Sequence, residues 1–313
     1  MSGGEATTVE EKSDDTMMLC ASCGIAGGDD IIKLKKCTGC HLVRYCSVKC
    51  QKDHWSQHKK ECKKRAAELR DEILFKQPEG SYNGDCPICC LPLPLDPRKS
   101  VLMPCCIKLI CDGCDYTNTK REFERNLQQK CPFCRNASPS TQEEAIRQCM
   151  KRIEMNDPVA MCQMGTRRYN EGDFKAAFEY LTNAAALGDV LAHHRLALLY
   201  RDGRGVGKDK KKELHHLKEA AIGGHPAARH ELGNVDYKNG QLDRAAKHFI
   251  IAAKLGYDKS LERVKDLHEG GFVSKEEFTS AHHGHKAAID ATKSPQREEA
   301  EQWRVECEKE EAL

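Results

Sequence analysis

Sixteen side chains of this 313-residue chain, fifteen cysteines and one histidine, stand in short-spaced pairs of the kind that bind a metal ion. The first four pairs are Cys20/Cys23, Cys37/Cys40, Cys46/Cys50 and His58/Cys62. The next four are Cys86/Cys89, Cys105/Cys106, Cys111/Cys114 and Cys131/Cys134. A Cys-x2-Cys turn aims two thiolates at one point, and a three-residue gap does the same over one helical turn, so four ligands from two pairs complete a tetrahedral zinc site. Reach decides which pairs share an ion in the first group. If residues 46–62 are largely helical, Cys46 and Cys62 lie about 24 Å apart, too far to share an ion whose ligand bonds are about 2.3 Å. One site then takes Cys20, Cys23, Cys46 and Cys50, and the other Cys37, Cys40, His58 and Cys62. Eight ligands are complete without His54, which falls one turn from both Cys50 and His58 and is the second choice should His58 not bind.

In the stretch YCSVKCQKDHWSQHKKEC, residues 45–62, the motifs Tyr45-Cys46-Ser47, Cys50-Gln51, Trp55 and His58-Lys59-x2-Cys62 follow the two leading Cys-x2-Cys pairs. In these features residues 20–62 resemble the MYND zinc finger. The resemblance implies an interleaved two-zinc fold and a shallow groove for proline-rich peptides, with Gln51 and Trp55 at the contact positions. Packing beside the metal sites is the competing role for Trp55.

Residues 85–135 open with Cys-Pro-Ile-Cys and close with Cys-Pro-Phe-Cys-Arg, and so resemble a RING finger, the module that docks ubiquitin-conjugating enzymes. Lys108 stands where that family places a histidine ligand, and an ammonium has no lone pair to offer a metal. An all-cysteine variant repairs the count, with Cys86, Cys89, Cys111 and Cys114 at one ion and Cys105, Cys106, Cys131 and Cys134 at the other. Cys90 is left over and is expected to be a small buried residue, with a substitute-ligand role as its alternative. The resemblance implies that Ile88 and Pro132 touch a conjugating enzyme and that Arg135 steadies the ubiquitin thioester. Plain packing of the finger by Ile88 and Pro132, with Arg135 in solvent, is the rival reading.

The elements carrying these sites follow from composition. Seven cysteines cluster between Cys20 and Cys62 and nine between Cys86 and Cys134, which defines two small modules, each too small to hold a core without metal. The N-terminal residues 1–19 are acidic, without a signal-like apolar segment, and expected to be disordered. Nineteen cysteines then point to a reducing compartment, cytoplasmic and/or nuclear, and to metal rather than disulfides. No apolar run nears the roughly 18 residues of a membrane span.

Residues 63–84 read as a helical linker and 136–156 as a linker helix. From Asp157 the texture changes to a repeat: DPVAMCQMG (157–165), DVLAHHRLA (189–197) and HPAARHELG (225–233) align on Ala160, Ala192 and Ala228. Each continues to an apolar residue four positions on, a Tyr, a Gly turn and a closing Ala pair before Gly188, Gly224 or Gly256, which describes helix–turn–helix units. A weaker fourth copy starts near Ser260. Residues 189–224 in particular resemble the Sel1-like subclass of tetratricopeptide-type repeats, which implies a helical solenoid over 157–289 that binds protein. The paired histidines His193/His194 and His215/His216 are expected on exposed helix faces. Residues 290–313 form a charged tail, expected as a frayed helix.

The fold class that follows is mainly α: two small zinc-bound cross-brace fingers of irregular α+β structure, then an α-helical repeat solenoid. Four Zn2+ ions per chain are expected. No phosphate loop, HExxH or Gly-x-Ser-x-Gly is present, so the chain has no catalytic constellation of its own. The formal net charge is +2, and zinc-thiolate charges reduce the +4 of residues 20–62 to about +1, which argues against nucleic acid. A protein-interaction adaptor for partner proteins or proline-rich peptides is the expected function. The alternative is a RING-type ubiquitin ligase that uses the finger and repeats as substrate receptor.

Overall fold

The computed structural model describes residues 19–27 and 32–311, so the disorder expected for residues 1–19 falls almost wholly outside the described residues. The chain divides into two units, Met1–Ile73 and Leu74–Leu313. It is mainly helical, with small cysteine-rich regions holding short strands, followed by stacked helix pairs.

In the first unit, β1 (Lys35–Lys36) pairs antiparallel with β2 (Arg44–Tyr45), and α1 (Val48–Leu74) follows directly. The core is sulfur-rich: Cys20, Cys37, Cys40 and Cys62 are buried with Tyr45 and Leu34. So few apolar side chains offset little of the entropy of ordering the segment, a balance that suits a fold built around metal.

In the second unit, β3 (Ser100–Met103) and β4 (Lys108–Cys111) form an antiparallel hairpin that leads into α2 (Asp112–Glu124). Ile107 of that hairpin packs with Cys149, Ala160 and Met164 of α3 (Gln142–Glu154) and α4 (Pro158–Asn170), which joins the second cysteine module to the repeats.

The repeats are the pairs α4/α5 (Phe174–Ala186), α6 (Val190–Asp202)/α7 (Lys210–Ile222) and α8 (Pro226–Lys238)/α9 (Leu242–Lys254). A further pair, α10 (Asp258–Glu269) and α11 (Lys275–Ala291), continues the stack. Each aligned sequence begins on a helix cap: the side chains of Asp157, Asp189 and His225 accept from backbone N–H groups two or three residues on. Each ends at a glycine that closes the second helix in the left-handed region, Gly188, Gly224 and Gly256 with φ of 87°, 86° and 88°. The longer turn of the second copy lies between Asp202 and Lys210, where Gly205 has φ 69° and a Cβ would stand 2.2 Å from the Phe174 carbonyl oxygen.

Two parts of the chain depart from expectation. Residues 74–84 are not helical beyond Leu74; they lie along the array. Leu74 is buried among Ala197, Leu217, Ala220, Ala228 and Leu232, its carbonyl accepts from the buried Arg229, Phe75 packs on His248, and Tyr82 stacks on His225. The C-terminal tail is not frayed over 295–311: α12 (Pro295–Glu311) packs on α2, with Trp303 on Tyr116 and ion pairs Lys120–Glu299 and Lys99–Glu301.

Of the paired repeat histidines His215 is exposed as expected, whereas His193, His194 and His216 are drawn inward. His193 Nδ1 and His216 Nδ1 are 3.0 Å apart and both rings are half-buried; burial and the neighbouring imidazole take His216 down to about 4.

Candidate metal centres

Four of the five Cys-x2-Cys pairs sit on the same backbone device, while the fifth, Cys111/Cys114, opens α2. The N–H of the residue after the second cysteine donates to the carbonyl of the first: Gly24 to Cys20, His41 to Cys37, Cys90 to Cys86, Arg135 to Cys131. That residue is left-handed in every case, with φ of 74°, 59°, 56° and 62°. Cys90 is therefore exposed at the tip of its turn, not a buried filler; its position is chosen by backbone shape. Turns of this kind leave amide N–H groups facing sulfur, as in Cys134 N–H to Cys131 Sγ at 3.5 Å.

The ligand atoms gather into four groups, within each of which they lie inside 4.8 Å of one another: Cys20, Cys23, Cys46, Cys50; Cys37, Cys40, His58, Cys62; Cys86, Cys89, Cys111, Cys114; and Cys105, Cys106, Cys131, Cys134. Neighbouring sulfurs are 3.6 Å apart in Cys23/Cys46, 3.7 Å in Cys37/Cys62 and Cys89/Cys111, and 3.8 Å in Cys106/Cys131. A disulfide would need about 2.05 Å, whereas the edge of a tetrahedron with Zn–S of about 2.3 Å is about 3.8 Å. All of these cysteines are free, so spacing and donor type both suit zinc.

Electrostatics points the same way. Cys20 is drawn down to about 6 by backbone N–H groups of Cys23 and Cys46, while Cys46 is pushed up to about 12 by sharing hydrogen bonds with Cys50 and Cys23. Four thiolates this close repel one another, and a divalent cation is what lets all of them ionise together.

The two histidines of α1 occupy different places. His58 is buried with its Nε2 3.3 Å from Cys40 Sγ, whereas His54 directs Nδ1 to the Tyr45 hydroxyl at 3.1 Å and stacks on His58. Gln51 and Trp55 are four residues apart on α1 and so share a face; the Trp55 side chain is 41 % exposed. Its ring meets the His58 ring at a steep angle with 6.4 Å between centroids, so it borders the candidate metal group and also presents surface to solvent.

In the second module Ile88, Pro132 and Arg135 line one groove of 440 Å³ with Thr117, Asn118 and Arg121. Arg135 is exposed, and its guanidinium also donates to Asn118 Oδ1 at 3.0 Å and to Glu122 Oε1 at 3.3 Å. Glu122, 1 % exposed, also accepts from the Lys130 backbone N–H and from Asn118, so it ties the last cysteine turn to α2. Sequence reasoning passed over Glu122, and only an acidic residue on the apolar side of α2 hints at it. The remaining thiols Cys149 and Cys162 are buried and Cys307 is half-buried, and none joins a cluster.

Comparison with known proteins identifies two of these parts. The MYND finger family matches residues 20–62, and the Sel1 repeat family matches 158–189, 190–225 and 226–257. No RING family matches the second cysteine module. Among curated proteins the chain is 55 % identical over 31 residues to the human histone-lysine N-methyltransferase SMYD3. It is 36 % identical over 66 residues to the SET domain and MYND-type zinc finger protein 6 of Schizosaccharomyces pombe. These stretches are 10 % and 21 % of this chain and only 7 % and 14 % of the relatives. A Sel1 repeat protein from Oxalobacter formigenes aligns with a TM-score of 0.42 at 19 % identity, over 63 % of this chain and 86 % of that one. The protective antigen c5321 of uropathogenic Escherichia coli aligns at 0.39 and 22 %, over 53 % and 37 %.

Proposed function

We propose that this chain is a zinc-dependent protein-interaction adaptor, in which four zinc ions hold the two cysteine modules and the MYND finger and repeat array each engage a partner protein. Both matched families are protein-interaction modules. The observation that carries the reading is the exposed Trp55, which shares an α1 face with Gln51 and packs beside the candidate ligand His58, an aromatic platform suited to proline-rich peptide. Aromatic anchors of this kind dominate small interfaces. In calorimetric titration of the zinc-loaded chain with synthetic proline-rich peptides, Trp55→Ala is expected to weaken binding at least tenfold with zinc content unchanged. Equal affinity of the variant would remove the finger from the reading.

The groove shared by Ile88, Pro132 and Arg135 favours a second reading, ubiquitin transfer with a conjugating enzyme docked there. Such a module works by positioning a thioester made elsewhere. Chain formation with a panel of conjugating enzymes, lost in Ile88→Ala, is the expected result under this reading. Folded, zinc-loaded protein inactive in every pairing would sink it.

A further inference from the structure

The C-terminal helix α12 delivers a buried arginine to a cysteine cluster of the second module. Arg297 is 6 % exposed, and its guanidinium donates to the carbonyls of Pro92 at 2.7 Å, Thr292 at 2.7 Å and Leu91 at 3.2 Å, and to Cys89 Sγ at 3.4 Å. Among the described residues no carboxylate lies within 4.0 Å of it. Three carbonyls satisfy N–H groups but do not neutralise a charge, and an uncompensated buried cation is costly. The group in contact with it that can carry negative charge is the Cys89 sulfur, which does so as a metal-bound thiolate. A zinc ion with four thiolates carries a formal charge of −2, which is the counter-charge this guanidinium lacks.

The approach is built into α2 as well. A Cβ on Gly113, beside the ligand positions Cys111 and Cys114, would stand 2.8 Å from the Arg297 backbone nitrogen, so a glycine is what lets α12 come this close. Ser294 Oγ accepts from the Arg297 N–H, and Arg304 reaches the Arg98 carbonyl and Asp112, which fixes α12 on either side of the contact.

We infer that Arg297 is the charge partner of the Cys86/Cys89/Cys111/Cys114 metal centre, and that the C-terminal helix is a working part of that centre. The inference rests on the proposal that this cluster holds zinc. Outer-shell partners of a metal site typically change affinity by about 10- to 100-fold when removed.

The test is zinc competition between the full, zinc-loaded chain and a chromogenic chelator. Cys89→Ser identifies the ion belonging to this cluster. Arg297→Gln is expected to weaken that ion by about 10- to 100-fold and leave the others at wild-type affinity. Arg297→Lys, which keeps the charge but not the fork of donors, is expected to fall between the two. Trp303→Ala loosens α12 while keeping the guanidinium, and is expected to have the smaller effect. Wild-type affinity in Arg297→Gln, or an equal loss in Trp303→Ala, overturns the inference while leaving the zinc reading intact. No lost ion in Cys89→Ser overturns the zinc reading at this cluster and the inference with it.

Discussion

His58→Ala is expected to lose zinc and melt the N-terminal module, whereas His54→Ala is expected to keep the full zinc complement. The two residues lie one turn apart on α1 and their rings stack with an interplanar angle of 11°, so position along the helix alone does not separate them. Their partners do. His58 Nε2 faces Cys40 Sγ within a group whose four members are all buried, and removing it leaves three thiolates at that ion. Structural zinc contributes about 10–16 kcal/mol to folding in small fingers, more than such a sulfur-rich core can replace. His54 exchanges one hydrogen bond with the Tyr45 hydroxyl, and losing it should cost about 1 kcal/mol. Zinc content per folded chain by elemental analysis, with circular dichroism alongside, separates the two. Retention of all ions by His58→Ala, or loss of one by His54→Ala, would reverse the roles.

What could be read from the chain before its structure follows how local each feature is. Ligand pairs two or three residues apart and glycines that end helices are local facts, and the four clusters and the repeat turns use those same residues. The residues passed over depend on distant partners. Arg297 meets Cys89 across a sequence separation of 208, and nothing in the charged tail distinguishes it from the surrounding Glu and Lys. Glu122 looks like any helical surface acid until Arg135 and the Lys130 N–H are placed around it. The tail was expected to fray because its composition is charged, but charge alone does not expose a helix when pairs such as Lys99–Glu301 await it. Cys90 failed for another reason: a buried cysteine is the common case, yet here the turn needs a left-handed residue at its tip, and that position points outward.

Phe249→Ala is expected to destabilise the repeat unit by about 3–5 kcal/mol, read as a lower urea midpoint with the slope unchanged. The reason is a contact of small against large between the two helices of a pair. The aligned segments end on Gly165, Ala197 and Gly233; Gly165 and Gly233 face Leu181 and Phe249 from the second helix of their pairs, and Ala197 shares a buried cluster with Leu217. A Cβ on Gly165 would lie 2.8 Å from Leu181 Cγ, and one on Gly233 would lie 2.6 Å from Phe249 Cε1. Phe249 is fully buried with Ala245, Ala246, Ala253 and Val264, which are too short to fill the space its ring would leave, while the His230 ring and the Arg263 guanidinium flank it. The cavity should therefore persist, which places the cost in the range for large aromatic truncations. Gly233 makes the argument sharper, because its substitution should change sign with its partner. Gly233→Ala alone forces the ring aside and is expected to destabilise, since overpacking costs about 1–3 kcal/mol. In the Phe249→Ala background the same methyl enters vacated space and gains about 1 kcal/mol of helix propensity, so it is expected to stabilise. Additive effects in the double variant, or a Phe249→Ala cost below about 1 kcal/mol, would show that this contact does not hold the pair together.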